Sequence, residues 1–337
     1  MGRLIGSRLV AALPGVVGVV IVTFVLTRAL PGDPAAYFAG PAATQQAIAE
    51  IRHSLGLDRS LAEQFVVYVE DLSHGRLGNS LSTGQPVIEE LLTRLPASIE
   101  LTVLALLLSV GIAVPLGITA AQQPNSWIDH LCRIVSTAGV SLPTFFTGLL
   151  LVYVFYYLLG WAPAPLGRLD LVYSPPPTRT GFYLLDSILA GDGSTAFAAL
   201  RQIALPALTL AIFTLAPIAR MTRAAMLSVL SSDFIRAARA NGLARWSIVY
   251  VYAFRNATLP VLTTLGMVFS FLLGANVLVE KVFAWPGIGS YAIEALIASD
   301  YAPVQGFVLA MALVYILLNL LIDILYGLID PRAAVTA

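Results

Sequence analysis

Residues with the types and spacing needed for chemistry are scarce in this 337-residue chain. Nucleotide hydrolysis by the P-loop route needs the pattern G-x-x-x-x-G-K-[ST], in which the lysine reaches the phosphates. Lys281 is the only lysine, it lies between Glu280 and Val282, and no glycine stands at the required distance. The sequence therefore excludes ATP hydrolysis by this route.

The other residue types that carry chemistry are dispersed. His53, His74 and His130 lie on different segments and lack the i, i+4 spacing of metal ligands. The single cysteine, Cys132, excludes an internal disulfide and a cysteine metal cluster. No serine, histidine and aspartate form a pattern that predicts a hydrolytic site. We therefore expect no catalytic residue, no metal and no cofactor in this chain.

The composition predicts an integral membrane protein. Hydrophobic residues make up 58% of the chain, charged residues make up 11%, and the formal net charge is zero. The mean hydropathy is +0.84. A chain of this length can supply several membrane spans of about 20 apolar residues each. No basic patch argues for a nucleic-acid partner, and none is expected.

Six apolar stretches are predicted to be transmembrane helices. They lie at about 9–30, 101–121, 134–159, 203–221, 261–279 and in a last stretch that ends near 328. The first is too long for the hydrophobic region of a signal peptide, so we interpret it as an uncleaved span. Pro143 is expected to bend the third span, and Pro206 and Pro217 to break the fourth.

Small residues predict close contacts between these helices. Gly111 and Gly117 lie in the second span. In the fifth, Gly266, Ser270 and Gly274 recur at i, i+4 and i+8 and form one stripe along which another helix can approach.

The arginines predict the orientation, because cytoplasmic segments carry an excess of positive charge. Arg3 and Arg8 precede the first span, and arginines crowd the region 223–255, where Asp233 is the single facing acid. Both regions, and hence both termini, are expected to be cytoplasmic. The sequence predicts a first span at 1–30, followed by an outer domain at 31–99. A five-helix core follows at 100–330, and it includes an outer loop at 161–199 and a polar segment at 231–256. A cytoplasmic tail is predicted at 331–337.

The polar segment is predicted to contain a short helix followed by a second helical stretch. Asp233 or Ser232 can cap the short helix, and Gly242 fits the left-handed residue that ends it. Its apolar side is formed by Phe234, Ile235, Ala237 and Ala238. The small residues permit close packing against a partner, although an ordinary helix hairpin can have the same composition.

Several separate signatures follow one another along the chain. They are RAA at 236–238 with Gly242 and Leu259-Pro260, LPGDP at 30–34, SLP at 141–143, and 279–289 in the pattern V-E-x-V-F-x-W-P-G-x-G. Together they resemble the membrane subunits of ABC importers. The first is similar to the EAA motif, and its wide gap before Leu259-Pro260 is similar to the dipeptide/oligopeptide branch. Two residues depart from the motif, Arg236 at the glutamate position and Ala244 where a capping serine is frequent.

The resemblance implies an all-α integral membrane protein with six transmembrane helices, the type I ABC importer permease fold, in the bacterial inner membrane. It implies a second homologous permease chain, two ATPase domains that use ATP and Mg, and an extracytoplasmic peptide-binding protein as partners. Substrate would pass between the two permeases by alternating access. The polar segment would then dock on the ATPase through Phe234, Arg236, Ala237, Ala238, Arg239, Gly242 and Leu243.

Polar residues near the spans are candidates for the pathway, because burying them in a membrane is expensive unless they are paired or wet. Asn276 and Glu280 lie near the outer end of the fifth span, and Trp285 follows. A pathway lining or gate and a hydrogen bond to a neighbouring helix both remain open for them. One face of the last span carries Asn319, Asp323 and Asp330. We expect that face to bond to a neighbouring helix.

Several alternatives remain open at this point. Arg236, Arg239 and Arg245 can pair with acids of the ATPase or contact anionic lipid. The loop 161–199 can be a packed surface loop or a contact for the binding protein. The same importer class also carries nickel, heme or oligosaccharides. An ion-coupled secondary transporter and a membrane scaffold that does not transport are the more distant hypotheses.

Overall fold

The computed structural model describes residues 2–29, 33–40 and 42–329, in which the regular elements are helices and one isolated β-bridge joins Asn79 to Pro86. The all-α prediction is confirmed. The elements are α1 (Gly2–Ala29), α2 (Pro34–Ala39), α3 (Gln45–Ser54), α4 (Leu61–Ser73), α5 (Val87–Gln122), α6 (Trp127–Ser141), α7 (Thr144–Leu151), the π-helical segment π1 (Val152–Leu158), α8 (Tyr183–Leu189), α9 (Gly193–Leu230), α10 (Asp233–Ala240), the π-helical segment π2 (Ser247–Phe254), α11 (Arg255–Val282), α12 (Ile288–Ile297) and α13 (Tyr301–Ile329). The predicted tail, Asp330 and residues 30–32 lie outside the described residues.

Within the described residues, four helices are long and apolar enough to cross a membrane. They are Val87–Gln122, Gly193–Leu230, Ser247–Val282 and Tyr301–Ile322. Shorter apolar helices occupy Leu13–Ala29, Thr144–Leu158 and Ile288–Ile297. The first and third predicted spans correspond to two of these shorter helices, so the count of six spans stays a prediction.

The prolines of the third and fourth spans have different effects. The third span is interrupted rather than bent, because α6 ends at Ser141, Leu142 is extended and α7 begins at Thr144. A proline disfavours the helical conformation of the residue before it. The prediction that Pro206 and Pro217 break the fourth span is wrong, since α9 continues through both. Helices that are packed on all sides tolerate prolines because their neighbours satisfy the freed backbone groups.

The structure forms two compact units, and α9 is the centre of the larger one, Ile99–Trp285 with the chain from Leu318 onward. Gly117 on α5 faces α9 so closely that an added Cβ would lie 2.7 Å from Thr222 Cβ and 2.8 Å from the Ala219 carbonyl oxygen. Gly139 on α6 is equally close, with 2.7 Å from its Cβ position to the Ile212 carbonyl oxygen. Glycine at these two positions therefore lets α5 and α6 lie directly against α9.

A hydrogen bond reinforces the contact between α5 and α9. The Ser109 hydroxyl bonds to the Thr214 hydroxyl and lies 3.2 Å from the Ala211 carbonyl oxygen. Both side chains are fully buried. Because an unpaired hydroxyl is costly in an apolar interior, this bond fixes the register of the two helices.

The predicted small-residue stripe of the fifth span is used at one end. A Cβ on Gly266 would lie 2.4 Å from Ile322 Cδ1, so α11 and α13 approach closely there. Nothing among the described residues lies within 4 Å of the equivalent position on Gly274. The stripe is therefore a packed contact at Gly266 and an open face at Gly274.

The smaller unit combines Met1–Ser98 with Pro286–Leu317. Its core contains Val87 and Tyr291, on α5 and α12. The Ser80 hydroxyl donates to Asp300 Oδ2 over 2.8 Å, and Gln305 Nε2 donates to Thr27 Oγ1 over 2.9 Å. The segment before α5 is thus bonded to Asp300, which lies between α12 and α13, and the start of α13 is bonded to α1. Because α5 begins at Val87, the limit of the predicted outer domain at residue 99 falls inside a helix.

We expect Gly117→Ala to lower the apparent melting temperature of the detergent-solubilised protein by about 3 °C or more, because overpacking of this kind costs about 1–3 kcal/mol. Gly111→Ala is the matched control, since it lies on the same helix with nothing within 4 Å of its Cβ position. Its only effect should be the gain in helix propensity, roughly 1 kcal/mol. Equal melting temperatures for the two variants would contradict the close contact with α9.

Candidate functional site

Helix α10 packs against the rest of the larger unit through one buried face. Ile235 is fully buried and Ala238 is 7% exposed. Both belong to a cluster supplied by the end of α5, the end of α9, π2 and the start of α11: Ile118, Ala121, Ala225, Met226, Ile248, Val249, Ala253 and Ala257. The small side chain of Ala238 therefore serves packing within this chain.

The opposite face of α10 is available to a partner. Phe234 is 46% exposed although it is a large apolar side chain. The other predicted docking residues that are exposed are Arg236, Ala237, Arg239, Gly242 and Leu243. The predicted docking set thus separates into one buried anchor, Ala238, and an exposed surface.

The end of α10 has the predicted glycine geometry. Gly242 has φ of 73°, its N–H donates to the Arg239 carbonyl over 3.0 Å, and the Leu243 N–H donates to the Ala238 carbonyl over 3.2 Å. This pair of bonds is a Schellman motif, in which glycine takes the left-handed conformation that other residues rarely adopt. The prediction for Gly242 is confirmed.

The start of α10 differs from the prediction. Ser232 stands at the N-cap position, but its hydroxyl donates to the Val229 carbonyl over 2.6 Å and does not accept a bond from the helix. Asp233 instead pairs with Arg236 on the surface of the helix. The side chain of Ser232 therefore closes the end of α9, and the prediction that it caps α10 is wrong in this respect.

The second helical stretch is a π-helical segment that continues into α11. It contains the buried residues Ile248 and Val249, while Trp246 and Tyr250 remain exposed with their ring centroids 5.4 Å apart. Pro260 lies inside α11 rather than at its end. The polar segment is thus a helix, a tight turn and a helix whose inner faces share one core.

A buried aspartate braces the base of this segment. Asp129, at the start of α6, is fully buried and receives hydrogen bonds from Arg223 on α9, one of them 2.9 Å long, and from Arg133 over 2.6 Å. The hydrogen bond from Arg223 holds the pKa of Asp129 well below its usual range. Asp129 is therefore ionised at any physiological pH and ties α6 to the last turns of α9.

The candidate gate residues form a buried cluster at the other end of α11. Asn276 is 2% and Glu280 1% exposed, and Asn276 Nδ2 donates to Glu280 Oε1 over 3.0 Å and to Thr102 Oγ1 over 3.3 Å. Trp285 is also buried, and its backbone N–H donates to the Glu280 carbonyl over 2.7 Å. These residues contact one another and α5 rather than solvent. Hydrogen bonding between helices, one of the two open interpretations, has direct support in this geometry.

The outer loop is held by two buried carboxylates. Arg168 Nη2 lies 2.6 Å from Glu100 Oε2 on α5, and its guanidinium stacks 3.5 Å above the Tyr183 ring. The backbone N–H groups of residues 179, 180 and 181 all donate to Asp186. Burial raises the pKa of Asp186, but its bonds with Thr180 and these N–H groups outweigh burial and leave the pKa below its ordinary value. The loop is packed, with an exposed turn at Leu171 and Val172.

Among the described residues, no group of three or more histidine, cysteine, aspartate or glutamate side chains could hold a metal ion. Glu100 and Asp129 are instead engaged by arginine, Asp186 by backbone N–H groups and Glu280 by the Asn276 amide. These carboxylates therefore serve hydrogen bonding within the larger unit.

Comparison with known families assigns the chain. The family model described as "Binding-protein-dependent transport system inner membrane component" matches residues 113–335. The model of the N-terminal part of such membrane components matches residues 1–102. The chain belongs to this family. As a member it is a membrane permease component, and it acts with a binding protein and an ATPase rather than as an enzyme.

Individual relatives cover nearly the whole permease. It is 48% identical over 317 residues to the probable D,D-dipeptide transport system permease protein DdpB of Escherichia coli K12, covering 94% of this chain and 93% of that protein. It is 44% identical to the di/tripeptide transport system permease protein DppB of Pseudomonas aeruginosa, covering 97% of each chain. The dipeptide transport system permease protein DppB of Escherichia coli K12 is 38% identical, covering 98% of each chain.

Sequence reasoning missed three charged residues of this permease. Asp129 lies between the second and third predicted spans, and none of the motifs in the sequence singles out Asp129, Glu100 or Arg168. A signal existed for Asp129, because it is an isolated acid beside a cytoplasmic excess of arginine. For Glu100 and Arg168, which are 68 residues apart, no local pattern indicates the pairing.

We expect Asp129→Asn to lower the apparent melting temperature of the permease by about 5 °C or more, because the variant loses the fully buried carboxylate and leaves the partly buried Arg223 inadequately paired. Asp233→Asn is the matched control, since it removes an aspartate from an exposed ion pair that contributes little. Thermal unfolding in one detergent would compare them. Melting temperatures of both variants equal to that of the wild type would contradict the bracing role of Asp129.

Proposed function

We propose that this chain is one of the two permease subunits of an ATP-driven importer for short peptides in the bacterial cell membrane. The support for peptides is the agreement among the relatives, whose names specify dipeptide, D,D-dipeptide or di/tripeptide transport. Their similarity extends over at least 94% of this chain in each of these comparisons. Nickel, heme and oligosaccharides are the alternative cargoes for the same machinery.

The proposed assembly contains a second, homologous permease, two ATPase domains that use ATP and Mg, and an extracytoplasmic peptide-binding protein. The two permeases form a heterodimer with the pathway between them. The family description names dependence on a binding protein. Energy must come from a separate subunit, because Lys281 has no P-loop around it.

The exposed face of α10 is the observation that carries the docking proposal. Ile235 and Ala238 fix the helix to this chain, while Phe234 presents apolar area that a partner can bury. Ala237 beside it allows close backbone approach. We assign this face, with Arg236, to a groove of the ATPase, and the turn at Gly242 sets the direction in which the chain returns.

The fold supplies a mechanical path from this face to the membrane. α9 is a single helix of 38 residues that ends two residues before α10 begins, so a displacement of α10 is carried into the core. Asp129 joins α9 to α6, which moves with it. When ATP closes the ATPase pair, the spans tilt to face outward, and hydrolysis returns them to the inward-facing state.

We propose that the buried cluster of Asn276, Glu280 and Trp285 acts as a gate through the hydrogen bond from Asn276 to Thr102. These residues hold α11 against α5 in the present structure. Opening the outer end of the pathway would require the bond between Asn276 and Thr102 to change. Their role would then be to set the stability of the closed state.

The proposed orientation places both termini and the segment 231–256 in the cytoplasm, and the domain 31–99 and the loop 161–199 outside. The arginine excess of the polar segment supports it. The rigid packing of the outer loop around Glu100 and Asp186 makes its exposed turn at Leu171 a suitable contact for the binding protein.

The function is tested by purifying a tagged copy from its own membrane in mild detergent and identifying by mass spectrometry the proteins that accompany it. We expect a second permease, one or two P-loop ATPases and a binding protein that carries short peptides. Recovery of the chain alone would overturn the importer assignment. A binding protein loaded with nickel, heme or oligosaccharide would overturn only the peptide assignment.

We expect Gly242→Val to reduce the amount of ATPase recovered with the permease by roughly tenfold or more, because a left-handed conformation costs a non-glycine residue about 1–2 kcal/mol and the turn would reorient. Gly242→Asn is the matched control, since asparagine tolerates this conformation and the site is sterically open. Recovery of the second permease should be unchanged in both variants. Normal ATPase recovery with Gly242→Val would contradict the docking role of this turn.

A further inference from the structure

A cleft of about 600 Å³ lies beside α10, within the larger unit. Its walls come from the end of α5 (Ala121 and Gln122), the end of α9 (Leu227 and Leu230) and the start of π2 (Ile248). This volume falls within the range of about 300–1,000 Å³ typical of sites for small ligands. Phe234, Arg236 and Ala237 do not line it, whereas Arg239 and Leu243 do, so the cleft lies beside the face assigned to the ATPase and shares two residues of the predicted docking set.

The rim of the cleft is cationic. Arg239 and Arg245 both line it, and no acidic residue among those that the structure describes does so. Arg245 makes one long hydrogen bond, 3.4 Å from Nη2 to Gln122 Oε1. In the part of the chain that the structure describes, neither arginine pairs with a carboxylate, because Asp129 and Asp233 are engaged by other arginines. Two guanidinium groups are therefore available for an anion.

The inner surface of the cleft is apolar. Leu227, Leu230, Leu243 and Ile248 supply it. An inorganic anion would leave this surface in water, whereas an amphiphile would cover it with hydrocarbon and keep its charge at the rim. The lining thus favours a ligand with an anionic head and an apolar stem.

The cleft also lies where a bilayer surface is expected. Three candidate spans end or begin at its walls, Val87–Gln122, Gly193–Leu230 and Ser247–Val282. Trp246, which is 68% exposed, directly precedes the candidate span Ser247–Val282 and lies beside Tyr250. Exposed tryptophan and tyrosine at the ends of spans mark the level of lipid headgroups.

We propose that this cleft binds an anionic phospholipid of the surrounding bilayer. Its phosphate lies between Arg239 and Arg245, and the first carbons of an acyl chain cover the leucines of the floor. Basic pockets between membrane helices are suited to such headgroups. Because Arg239 is on α10 and Gln122 ends α5, the bound lipid connects α10 to α5 and restricts the movement of α10.

The test is retention of phosphatidylglycerol by the transporter purified with its partner subunits. The complex is reconstituted in phosphatidylcholine nanodiscs that contain increasing fractions of phosphatidylglycerol, and tightly bound lipid is counted by native mass spectrometry. The wild type should retain one phosphatidylglycerol in preference to phosphatidylcholine. The double variant Arg239→Gln, Arg245→Gln should need about a thirtyfold higher fraction of phosphatidylglycerol for the same retention, because each arginine contributes roughly 1 kcal/mol to binding. Leu230→Trp, which fills the floor and keeps both charges, should also lose the lipid.

Arg255→Gln is the matched control, since Arg255 is an exposed arginine of the same region that does not line the cleft. It should retain phosphatidylglycerol as the wild type does. Equal retention by the double variant, equal loss in Arg255→Gln, or retention without preference for the anionic lipid would overturn the proposal. Binding of the lipid only after the ATPase is removed would also overturn it, because the cleft would then belong to the ATPase.

Discussion

The structure of the larger unit depends on how closely α5 and α6 approach α9. Gly117 and Gly139 leave no room for a side chain between these helices and the backbone of α9. In a bilayer, lipid is as apolar as the side chains, so close packing and hydrogen bonds hold helices together. The bond between Ser109 and Thr214 adds the polar part of this contact. A helix enclosed in this way can contain Pro206 and Pro217 without breaking.

The same constraint explains how a surface helix can act on the interior. α9 is one continuous helix with buried residues from Thr195 to Met226, and α10 follows it after two residues. Ile235 places α10 in the core shared by α5, α9 and π2, so the helix cannot move without displacing them. Asp129 extends the connection to α6 through Arg223. Helix α10 and the helices that it contacts thus form one packed body within this unit.

Buried and exposed charged groups of the larger unit differ in whether they have partners within the chain. The buried carboxylates have partners within the chain, as Glu100 has Arg168 and Leu184 N–H and Glu280 has the Asn276 amide. Arg239 and Arg245 differ, since no acid among the described residues lines the cleft that they border. This contrast singles out the cleft as a place for a ligand from outside the chain, while Arg223 and Arg168 are already used in the fold.

The sequence by itself determined the class of the protein, its membrane location and the position of the polar segment 231–256. These follow from local properties: long apolar runs, an arginine excess, and a glycine at 242 whose conformation is set by its neighbours along the chain. Tertiary structure alone decided that Pro206 and Pro217 leave α9 intact, that Ser232 bonds to Val229, and that Ala238 faces inward. It also paired Asp129 with Arg223, 94 residues away, and built the cleft from α5, α9, α10 and π2. Such features depend on which distant groups become neighbours, and no local pattern carries that information.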